Sequence, residues 1–419
     1  MKLWEFLSER IKKHENNIVF DDGCTYGELL NEVNNRKRKY DTVGRLVVVE
    51  QNTRKEQAIE ILAVLASQNV VIPVDDCYGQ NRVELIKEQI KGDDKCYDDL
   101  AFLMFTSGTT GQPKGVMLSH ENIIENIKMI STYFQLNSDD SILIIRPLVH
   151  IAVITGELLY GLYCGSRIAF YEEEFNPYKL SNIIKQKEIT TLCATPTIFE
   201  YLILSNNEEL HLKQAVISGE RLKIETVRKL IKAFPCTEFY NVYGLTEHSP
   251  RVSALTPSDF FQYPGSVGKP LNGVATKIEG NELFVKSKCV MVGYYNNEEE
   301  TLRFKKDEWL RTGDIVEENH GYLYIKGRKD NMIIRGGVNI YPEEIEDVVK
   351  CIEGVIDCYV YGEDDILCGQ RIVLEYIGTV DEKTLRKELV RIFPPHLLAK
   401  KIVRKDQFEM TCSGKRIRK

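Results

Sequence analysis

The sequence lacks the patterns that mark several classes of protein. No apolar run approaches the roughly 20 residues that span a membrane, and residues 1–14 alternate charged and apolar side chains, unlike the apolar core of a signal peptide. The 11 cysteines include no Cys-x-x-Cys pair, which predicts reduced thiols and no structural zinc. The net charge of −7 gives no case for nucleic acid as the main partner. These absences favour a globular protein of the reducing cytoplasm.

What the sequence does contain is a regular alternation of strand-like and helix-like segments. A β-α-β unit is predicted over residues 44–74, and Ser119 is the predicted N-cap of a later helix. Five further strands, separated by helices, are predicted at residues 142–145, 167–171, 190–194, 214–218 and 238–242. This alternation predicts an α/β fold with doubly wound, mostly parallel sheets, in which ligands bind beyond the carboxyl ends of the strands.

Other parts of the chain depart from that alternation. A short strand pair is predicted around residues 18–20. From Pro250, short strands separated by Gly and Asn predict a small β-rich subdomain that extends to about residue 328. After it, a helix that starts at Pro342, two strands and a second helix predict a small α+β module.

Residues 106–115 form the segment on which the functional interpretation depends. They read Thr-Ser-Gly-Thr-Thr-Gly-Gln-Pro-Lys-Gly and follow an apolar run that is typical of a buried strand. Glycines let backbone N–H groups approach an anion, hydroxyl groups add donors, and Lys114 supplies a mobile positive charge. A Ser/Thr/Gly linker does not account for the segment, because a linker needs no preceding strand. A Walker loop does not either, because it needs Gly-Lys-Ser/Thr at the start of a helix. We therefore predict another kind of phosphate-binding loop, with candidate ligands Thr106, Ser107, Gly108, Thr109, Thr110 and Lys114.

Five segments resemble the motifs of the adenylate-forming, or AMP-binding, enzymes, a family of acyl- and aryl-CoA synthetases, stand-alone adenylation domains and luciferases. They are the loop at 106–115, Tyr-Gly-x-Thr-Glu at 243–247, Thr-Gly-Asp at 312–314, the block at 327–346 and Ser-Gly-Lys at 413–415. The resemblance implies a large N-terminal domain over residues 1–329 and a small, mobile C-terminal domain over residues 330–419, with a hinge at Asp330. Compared with the family, the stretch between about 78 and 100 looks shortened.

For the Tyr-Gly-x-Thr-Glu motif, the resemblance implies three roles. Tyr243 stacks on adenine, Thr246 bonds the α-phosphate and Glu247 holds Mg²⁺; a flat apolar ring, a hydroxyl group and a hard oxygen ligand suit these roles. Asn241 and Gly244 complete the predicted nucleotide-binding set of this segment. Taken alone, such a turn is more often structural. Its pairing with the phosphate loop favours the functional interpretation.

Three further residues complete the predicted nucleotide site. The resemblance implies that Asp314 binds both ribose hydroxyl groups, which one carboxylate can accept together, and that Arg328 also contacts the ribose. Lys415 is implied to reach the substrate carboxylate and the α-phosphate during adenylation. The alternative for Lys415 is a solvated basic tail, because residues 396–419 carry many more basic than acidic side chains.

Two strand ends are predicted to select the substrate. One carries Ser218, Gly219 and Glu220, where the family places its adenine-site segment, although many CoA synthetases have Gly-Ala in place of this Gly-Glu. The other carries the family's Pro-Leu-x-His motif, whose His150 is implied to lie between the acyl pocket and the thiol tunnel; alone, such a His is usually structural. Amino-acid-activating relatives have an Asp next, whereas Ile151 begins an apolar stretch that cannot compensate an ammonium group. The sequence therefore predicts a carboxylic acid without an α-amino group.

The reaction implied by the resemblance converts the acid and ATP to acyl-AMP and pyrophosphate, then transfers the acyl group to a thiol. The implied cofactors are ATP, Mg²⁺ and CoA; the alternative acceptor is the phosphopantetheine of an acyl carrier protein. A P-loop kinase or ATPase would release phosphate, and a regulator without catalysis would need a broken motif, so the matched motifs disfavour both. The prediction is a cytoplasmic, AMP-forming acid–thiol ligase with the catalytic residues Lys114, His150, Thr246, Glu247 and Lys415.

Overall fold

A computed structural model describes residues 1–75, 79–107, 113–205 and 210–408. These residues divide into two compact units. The first unit comprises residues 1–276 and 285–310, and the second comprises residues 277–284 and 311–408. The domain boundary and hinge at Asp330 stay a prediction.

The strands of the described residues are mostly short. In the first part of the chain they are β1 (Leu46–Val49), β2 (Val70–Pro73), β3 (Leu100–Ser107), β4 (Pro113–Ser119), β5 (Ser141–Ile144), β6 (Arg167–Phe170), β7 (Thr191–Ala194), β8 (Gln214–Ile217), β9 (Glu238–Gly244), β10 (Arg251–Leu255) and β11 (Lys269–Pro270). In the second part they are β12 (Ala275–Glu279), β13 (Glu282–Lys286), β14 (Gly293–Tyr294), β15 (Lys305–Lys306), β16 (Trp309–Asn319), β17 (Tyr322–Arg328), β18 (Ile333–Arg335), β19 (Val338–Ile340), β20 (Val355–Asp365), β21 (Gly369–Gly378) and β22 (Lys401–Arg404).

The helices alternate with these strands over most of the first unit. They are α1 (Leu3–Lys12), α2 (Tyr26–Arg36), α3 (Arg54–Ala66), α4 (Gln80–Ile90), α5 (His120–Tyr133), α6 (Ile151–Val153), α7 (Tyr160–Cys164), α8 (Pro177–Gln186), α9 (Pro196–Ser205), α10 (Ile224–Ala233), α11 (Pro257–Phe260), α12 (Glu298–Phe304), α13 (Pro342–Val349) and α14 (Glu382–Ile392). A π-helical turn, Ile154–Leu159, joins α6 to α7. Within the described ranges, none of the helices has the length and apolar composition needed to cross a membrane.

One sheet of the first unit has the strand order β1-β2-β3-β4-β14. β1, β2 and β3 are parallel, and β4 is antiparallel to both β3 and β14. α3 crosses from β1 to β2 and is buried along most of its length, so the predicted β-α-β unit is confirmed. The strand predicted to return after the phosphate loop is also confirmed, as β4. Ser119 caps α5 as predicted, since its hydroxyl group accepts the backbone N–H of Asn122 at 3.1 Å.

A second sheet has the order β11-β10-β9-β8-β7-β5-β6, and the strands from β6 to β9 are parallel. The predicted mostly parallel, doubly wound arrangement is therefore confirmed. Because β5, β7, β8 and β9 run in one direction, their carboxyl ends lie at the same edge of the sheet. That edge carries the residues that follow Ile144, Ala194, Ile217 and Gly244.

Two predictions about strands are wrong. The strand pair around residues 18–20 is reduced to isolated bridges, from Ile18 to Thr25 and from Phe20 to Ile168. The chain turns directly after residue 20, where the Gly23 backbone N–H donates to the Phe20 carbonyl oxygen at 3.1 Å. The β-rich subdomain has its predicted strands, as β13 and β17, but it does not begin at Pro250 as predicted, because the first strand after that residue stays in the second sheet. β10 pairs antiparallel with β9, since the short connection between them permits only an antiparallel neighbour.

Helix α5 contacts both sheets, at β4 and at β10. Two asparagines on it bond to the chain that surrounds the predicted site. The Asn126 amide donates to the carbonyl groups of His248 at 3.4 Å and Arg251 at 3.1 Å. The Asn122 amide donates to the carbonyl group of Val290 at 3.1 Å. These bonds hold the turn after β9 and the segment before β14 on one helix.

The second unit contains most of a small sheet of the order β12-β13-β16-β15, with β17 beside β16. Its other sheet has the order β19-β18-β21-β20, with β22 beside β21. Helices α13 and α14 contribute Ile345, Val349, Leu385 and Leu389 to one apolar core with this second sheet. The predicted α+β module, with Pro342 in the first turn of its first helix, is confirmed.

Two histidines of the first unit are fully packed. The ring of His120 accepts the backbone N–H of Leu3 at 3.3 Å. The Nδ1 atom of His248 lies 2.9 Å from the carbonyl oxygen of Arg251, to which it donates, so Nε2 accepts from the Ser287 hydroxyl group at 2.7 Å. Burial lowers the pKa of each imidazole to about 4, because a charged ring would lose its hydration.

These two histidines make the fold sensitive to acid. Below the unfolded pKa of 6.5 the unfolded chain takes up protons that the folded chain does not, so the free energy of unfolding falls as the pH drops from 6.5 towards 4. At pH 5 the loss is about 1–2 kcal/mol for each histidine. We expect His248→Gln, which retains a donor and an acceptor, to lose less stability between pH 7.5 and 5 than the parent chain in denaturant unfolding.

The matched control is His320→Gln, which removes an exposed histidine. It should lose as much stability on acidification as the parent chain. An equal loss in His248→Gln and in the parent chain would contradict the assignment of acid sensitivity to this ring.

Candidate active site

The predicted phosphate loop connects the antiparallel strands β3 and β4. Thr106 pairs with Lys114, and Ser107 pairs with Pro113, so the two ends of the loop are held side by side. The Thr106 hydroxyl group donates to the Lys114 carbonyl oxygen at 3.5 Å. The other candidate ligands Gly108, Thr109 and Thr110 lie outside the described residues. Strand, loop and returning strand therefore occur in the order that the sequence predicts.

Helix α4, in the stretch predicted to be shortened, supports both ends of this hairpin. The Arg82 guanidinium group donates to the carbonyl oxygen of Phe105 at 3.4 Å. The Gln89 amide donates to the carbonyl oxygen of Pro113 at 3.1 Å. The sequence carried no signal for these contacts, since both side chains resemble ordinary polar positions on an exposed helix.

Lys114 points towards α12. Its ammonium group forms an ion pair with Glu300, and the two side chains are 21% and 14% exposed. The same nitrogen lies 6.0 Å from the ring centre of Tyr294 and 5.8 Å from that of Phe304. The lysine is thus held by one carboxylate and two aromatic rings.

The Tyr-Gly-x-Thr-Glu turn follows β9 at the carboxyl edge of the second sheet. Gly244 is needed there, because a Cβ atom would lie 2.1 Å from the Pro250 carbonyl oxygen. Thr246 and Glu247 begin a 3₁₀ turn and are partly exposed, as is Tyr243. The backbone N–H of Met291 donates to the Glu247 carbonyl oxygen at 2.9 Å. The turn therefore presents three of the predicted nucleotide ligands from a fixed backbone.

Tyr294 connects this turn with the phosphate hairpin. It belongs to β14, which pairs with β4 through Tyr294 and Val116. Its phenol group donates to Glu247 Oε1 at 2.9 Å, and its ring lies next to Lys114. The bond orients a carboxylate, a hard oxygen ligand of the kind that Mg²⁺ prefers, and the role of Glu247 as a ligand of that ion stays a prediction. Sequence reasoning missed Tyr294 because nothing in its local pattern indicates which strand pairs with β14.

The Ser218–Glu220 segment follows β8 and has its own polar partners. Gly219 has a φ of +90°, a conformation that side-chain-bearing residues rarely adopt. Glu220 accepts from the Thr197 hydroxyl group at 2.6 Å, near the start of α9. This contact gives Glu220 a structural partner; its role in nucleotide binding stays a prediction. Asn241, on the neighbouring strand, is buried and donates to the Ser266 carbonyl oxygen at 2.7 Å.

A buried ion pair connects the two predicted substrate-selecting strand ends. Arg146, just after β5, contacts Glu157 at 2.6 Å, and its guanidinium group donates to the Ser218 hydroxyl group at 3.3 Å. Burial raises the pKa of Glu157, and the Arg146 charge opposes this effect. Glu157 lies in the π-helical turn, a deformation that is frequent at functional sites. The sequence did not reveal the pair.

His150 lies on the same edge, at the start of α6. It is partly exposed, and its carbonyl oxygen accepts the backbone N–H groups of Val153 at 2.9 Å and Ile154 at 3.0 Å. The side chains of Ile151 and Val153 are buried. The apolar stretch predicted after His150 is therefore part of the core of this unit.

In the second unit, Asp314 and Arg328 face each other across the β16–β17 hairpin. Their closest charged atoms are 3.5 Å apart, and the Asp314 side chain is the more buried of the two. Thr312 supports the aspartate, because its hydroxyl group accepts the Asp314 backbone N–H at 3.0 Å. Gly313, which lies between Thr312 and Asp314 within β16, has a φ of +73°. The two predicted ribose ligands are thus neighbours.

Glu282 supports the strands that carry these ligands. It contacts Arg311 at 2.5 Å and Lys329 at 2.8 Å, which flank the Asp314 and Arg328 positions in sequence. Burial opposes the ionisation of Glu282, but the two cations outweigh it and hold its pKa below the usual range. Lys415, the remaining predicted ligand, lies outside the described residues.

Comparison with protein families gives two matches. The profile of the AMP-binding enzyme family matches residues 7–295, and that of the AMP-binding enzyme C-terminal domain matches residues 344–415. Among curated proteins, the chain is 32% identical to a mitochondrial medium-chain acyl-CoA ligase of Mus musculus, over 66% of this chain and 49% of that protein. It is 30% identical to a long-chain-fatty-acid–CoA ligase of Bacillus subtilis, over 77% of this chain and 61% of that protein. The chain spans about half the length of the first of these relatives.

Solved structures resemble the whole chain in fold. The o-succinylbenzoate CoA synthetase of Bacillus subtilis, in complex with its acyl-adenylate intermediate, has a TM-score of 0.86 at 21% identity, with 98% of this chain and 96% of that chain covered. ATP-bound MatB of Rhodopseudomonas palustris has a TM-score of 0.86 at 21% identity, with 99% and 97% covered. With the family profile matched over more than half of its residues, the chain belongs to the AMP-binding, or adenylate-forming, enzymes.

Proposed function

We propose that the chain activates a carboxylic acid with ATP, giving acyl-AMP and pyrophosphate, and then transfers the acyl group to the thiol of CoA. The observation that carries this proposal is the convergence of Lys114 and Glu247 on Tyr294, whose ring lies 6.0 Å from the ammonium group and whose hydroxyl group bonds the carboxylate. A phosphate-binding cation and a metal-binding anion on one tyrosine suit a polyphosphate with its Mg²⁺. The acyl-CoA ligases among the relatives support the same reaction.

In the adenylation step, a carboxylate oxygen of the acid attacks the α-phosphorus atom of ATP, and the bond to the bridging oxygen of pyrophosphate breaks. Lys114 and the hydroxyl groups of the preceding loop are assigned to the leaving pyrophosphate. Thr246 is assigned to the α-phosphate, and Glu247 to Mg²⁺, which supplies positive charge against the phosphates when bound. The protein contributes positioning and neutralisation of charge, which suffices for a displacement of this kind.

The nucleoside is assigned to the remaining predicted ligands. Tyr243 offers a partly exposed ring for adenine. Asp314 offers a carboxylate for the two ribose hydroxyl groups, with Arg328 as its neighbour at 3.5 Å. Asn241 and the Ser218–Glu220 segment, at adjoining strand ends, complete the proposed set.

The acid is assigned to the strand edge near His150. The residues that follow are apolar and buried at Ile151 and Val153, and they offer no carboxylate for an ammonium group. We therefore propose an acid without an α-amino group. We propose that His150, which is partly exposed, lies between this acid and the incoming thiol.

In the thioester step, the CoA sulfur attacks the acyl carbonyl carbon, the bond from that carbon to the phosphate oxygen breaks, AMP leaves and the thiol proton passes to solvent. We propose that the small domain rotates about a hinge at Asp330 between the two steps. The rotation withdraws Lys415 from the site and admits the thiol, so that one site serves two reactions. CoA is favoured over the phosphopantetheine of a carrier protein because the named relatives are CoA ligases. The cytoplasmic location predicted from the sequence belongs to the same proposal.

The first test is pyrophosphate exchange. With a panel of aliphatic and aromatic carboxylic acids, we expect ATP–pyrophosphate exchange that depends on the acid, and AMP as the nucleotide product once CoA is added. An α-amino acid of matching side chain should give no exchange. Release of phosphate and ADP would contradict the proposal, and thioester formed only on a carrier protein would favour the alternative acceptor.

The second test separates the two half-reactions. Lys415→Ala should lower adenylate formation by about 100-fold or more, since a charge that neutralises the reacting oxygens is lost. It should leave thioester formation from supplied acyl-AMP near the parent rate. Lys419→Ala, in the same basic segment, is the matched control and should retain both activities. Equal loss of both half-reactions in Lys415→Ala would contradict its assignment.

A further inference from the structure

Lys114, the cation that the proposed function assigns to pyrophosphate, forms an ion pair with Glu300 in the described structure. The two residues are 186 positions apart in the sequence and meet because β14 pairs with β4 just before α12 begins. Both side chains are largely buried, at 21% and 14% exposure. A pair screened from water to this degree is stronger than an ordinary surface ion pair.

Glu300 differs from the other acids of its helix. Glu298, Glu299 and Glu300 all lie in the first turn of α12, where negative charge is favourable. Glu298 and Glu299 are exposed, and Glu300 alone turns towards Lys114. Its other carboxylate oxygen lies 3.6 Å from Arg303, whose side chain is 60% exposed, so this second ion pair is the more screened of the two. Asn297 caps the helix by accepting the Glu300 backbone N–H at 3.0 Å. The helix therefore has its favourable N-terminal charge without Glu300, whose inward position needs another explanation.

We propose that Glu300 competes with the pyrophosphate end of ATP for Lys114 and so sets the affinity of the site for polyphosphate. This inference rests on the proposed function, and it assigns Glu300 a positioning role that acts through the lysine. When a polyphosphate binds, the Lys114 ammonium group must give up the Glu300 carboxylate to contact the phosphate oxygens. Glu300 then remains nearby and repels the phosphates, because both are negatively charged. Both effects weaken binding of the anion. After pyrophosphate leaves, the lysine returns to Glu300.

Removing the charge of Glu300 should therefore tighten the binding of polyphosphates. We expect Glu300→Gln to bind pyrophosphate and ATP, each with Mg²⁺, about three- to tenfold more tightly than the parent chain in titration calorimetry. The KM for ATP should fall by a similar factor, and kcat should not rise, because the leaving product is also held more tightly. Glu300→Ala is a second variant, for the case that the glutamine amide group distorts the helix, and it should also tighten the binding of polyphosphates.

The matched control is Glu299→Gln, which changes the net charge equally, in the same turn, on an exposed side chain. It should bind pyrophosphate within about twofold of the parent chain, because an exposed charge is screened by solvent and salt. In a Lys114→Ala background, Glu300→Gln should lose most of its effect, since the competition acts through the lysine.

Weaker pyrophosphate binding by Glu300→Gln would overturn the proposal, because Glu300 would then orient the lysine for the ligand. An equal gain in Glu299→Gln would also overturn it, because only net charge would matter. Failure of the proposed function has a different result. A parent chain that binds pyrophosphate without forming acyl-AMP would refute the ligase activity while leaving the competition measurable. A parent chain that binds neither ATP nor pyrophosphate would overturn both.

Discussion

The hydrogen bond from the Tyr294 phenol to the Glu247 carboxylate is the contact on which the site of the first unit depends. Tyr294 belongs to the strand beside the phosphate hairpin, and Glu247 belongs to the turn after the last parallel strand of the other sheet. The bond therefore holds two sheets together at the point where the two best-matched motifs meet. Helix α5 supports this contact on both sides, since Asn122 donates to the Val290 carbonyl oxygen and Asn126 donates to the His248 carbonyl oxygen.

Three charged pairs lie among the predicted site residues and their neighbours in the described structure. Lys114 pairs with Glu300, Arg146 with Glu157, and Asp314 lies 3.5 Å from Arg328. Pairing compensates the cost of removing each charge from water. A ligand that binds to any of these groups therefore replaces one polar partner with another. Its affinity is a difference between two sets of contacts, and small changes at the resident partner shift it.

Most of the elements that carry the motifs could be predicted from the sequence, because each has a local signal. Strand β3 has a continuous apolar run, α5 has a capping serine and a periodic apolar face, and α13 has a proline in its first turn. The start of the β-rich subdomain at Pro250 was predicted wrongly, because the strand that follows, β10, belongs to the second sheet. Its place beside β9 follows from a short connection and an available sheet edge, and neither is visible in its own residues.

The sequence by itself determined the kinds of chemical group that the chain offers: a hydroxyl-rich loop with Lys114, a Tyr-Gly-x-Thr-Glu segment with Glu247 and a Thr-Gly-Asp segment with Asp314. Such motifs are legible because each is built from neighbouring residues whose backbone and side-chain preferences act over a few positions. Only the tertiary structure decided the partners of these groups. Tyr294 is 47 residues from Glu247, and Glu300 is 186 residues from Lys114. Contacts at such separations depend on which strands pair and which edges meet, and local preference carries no information about either.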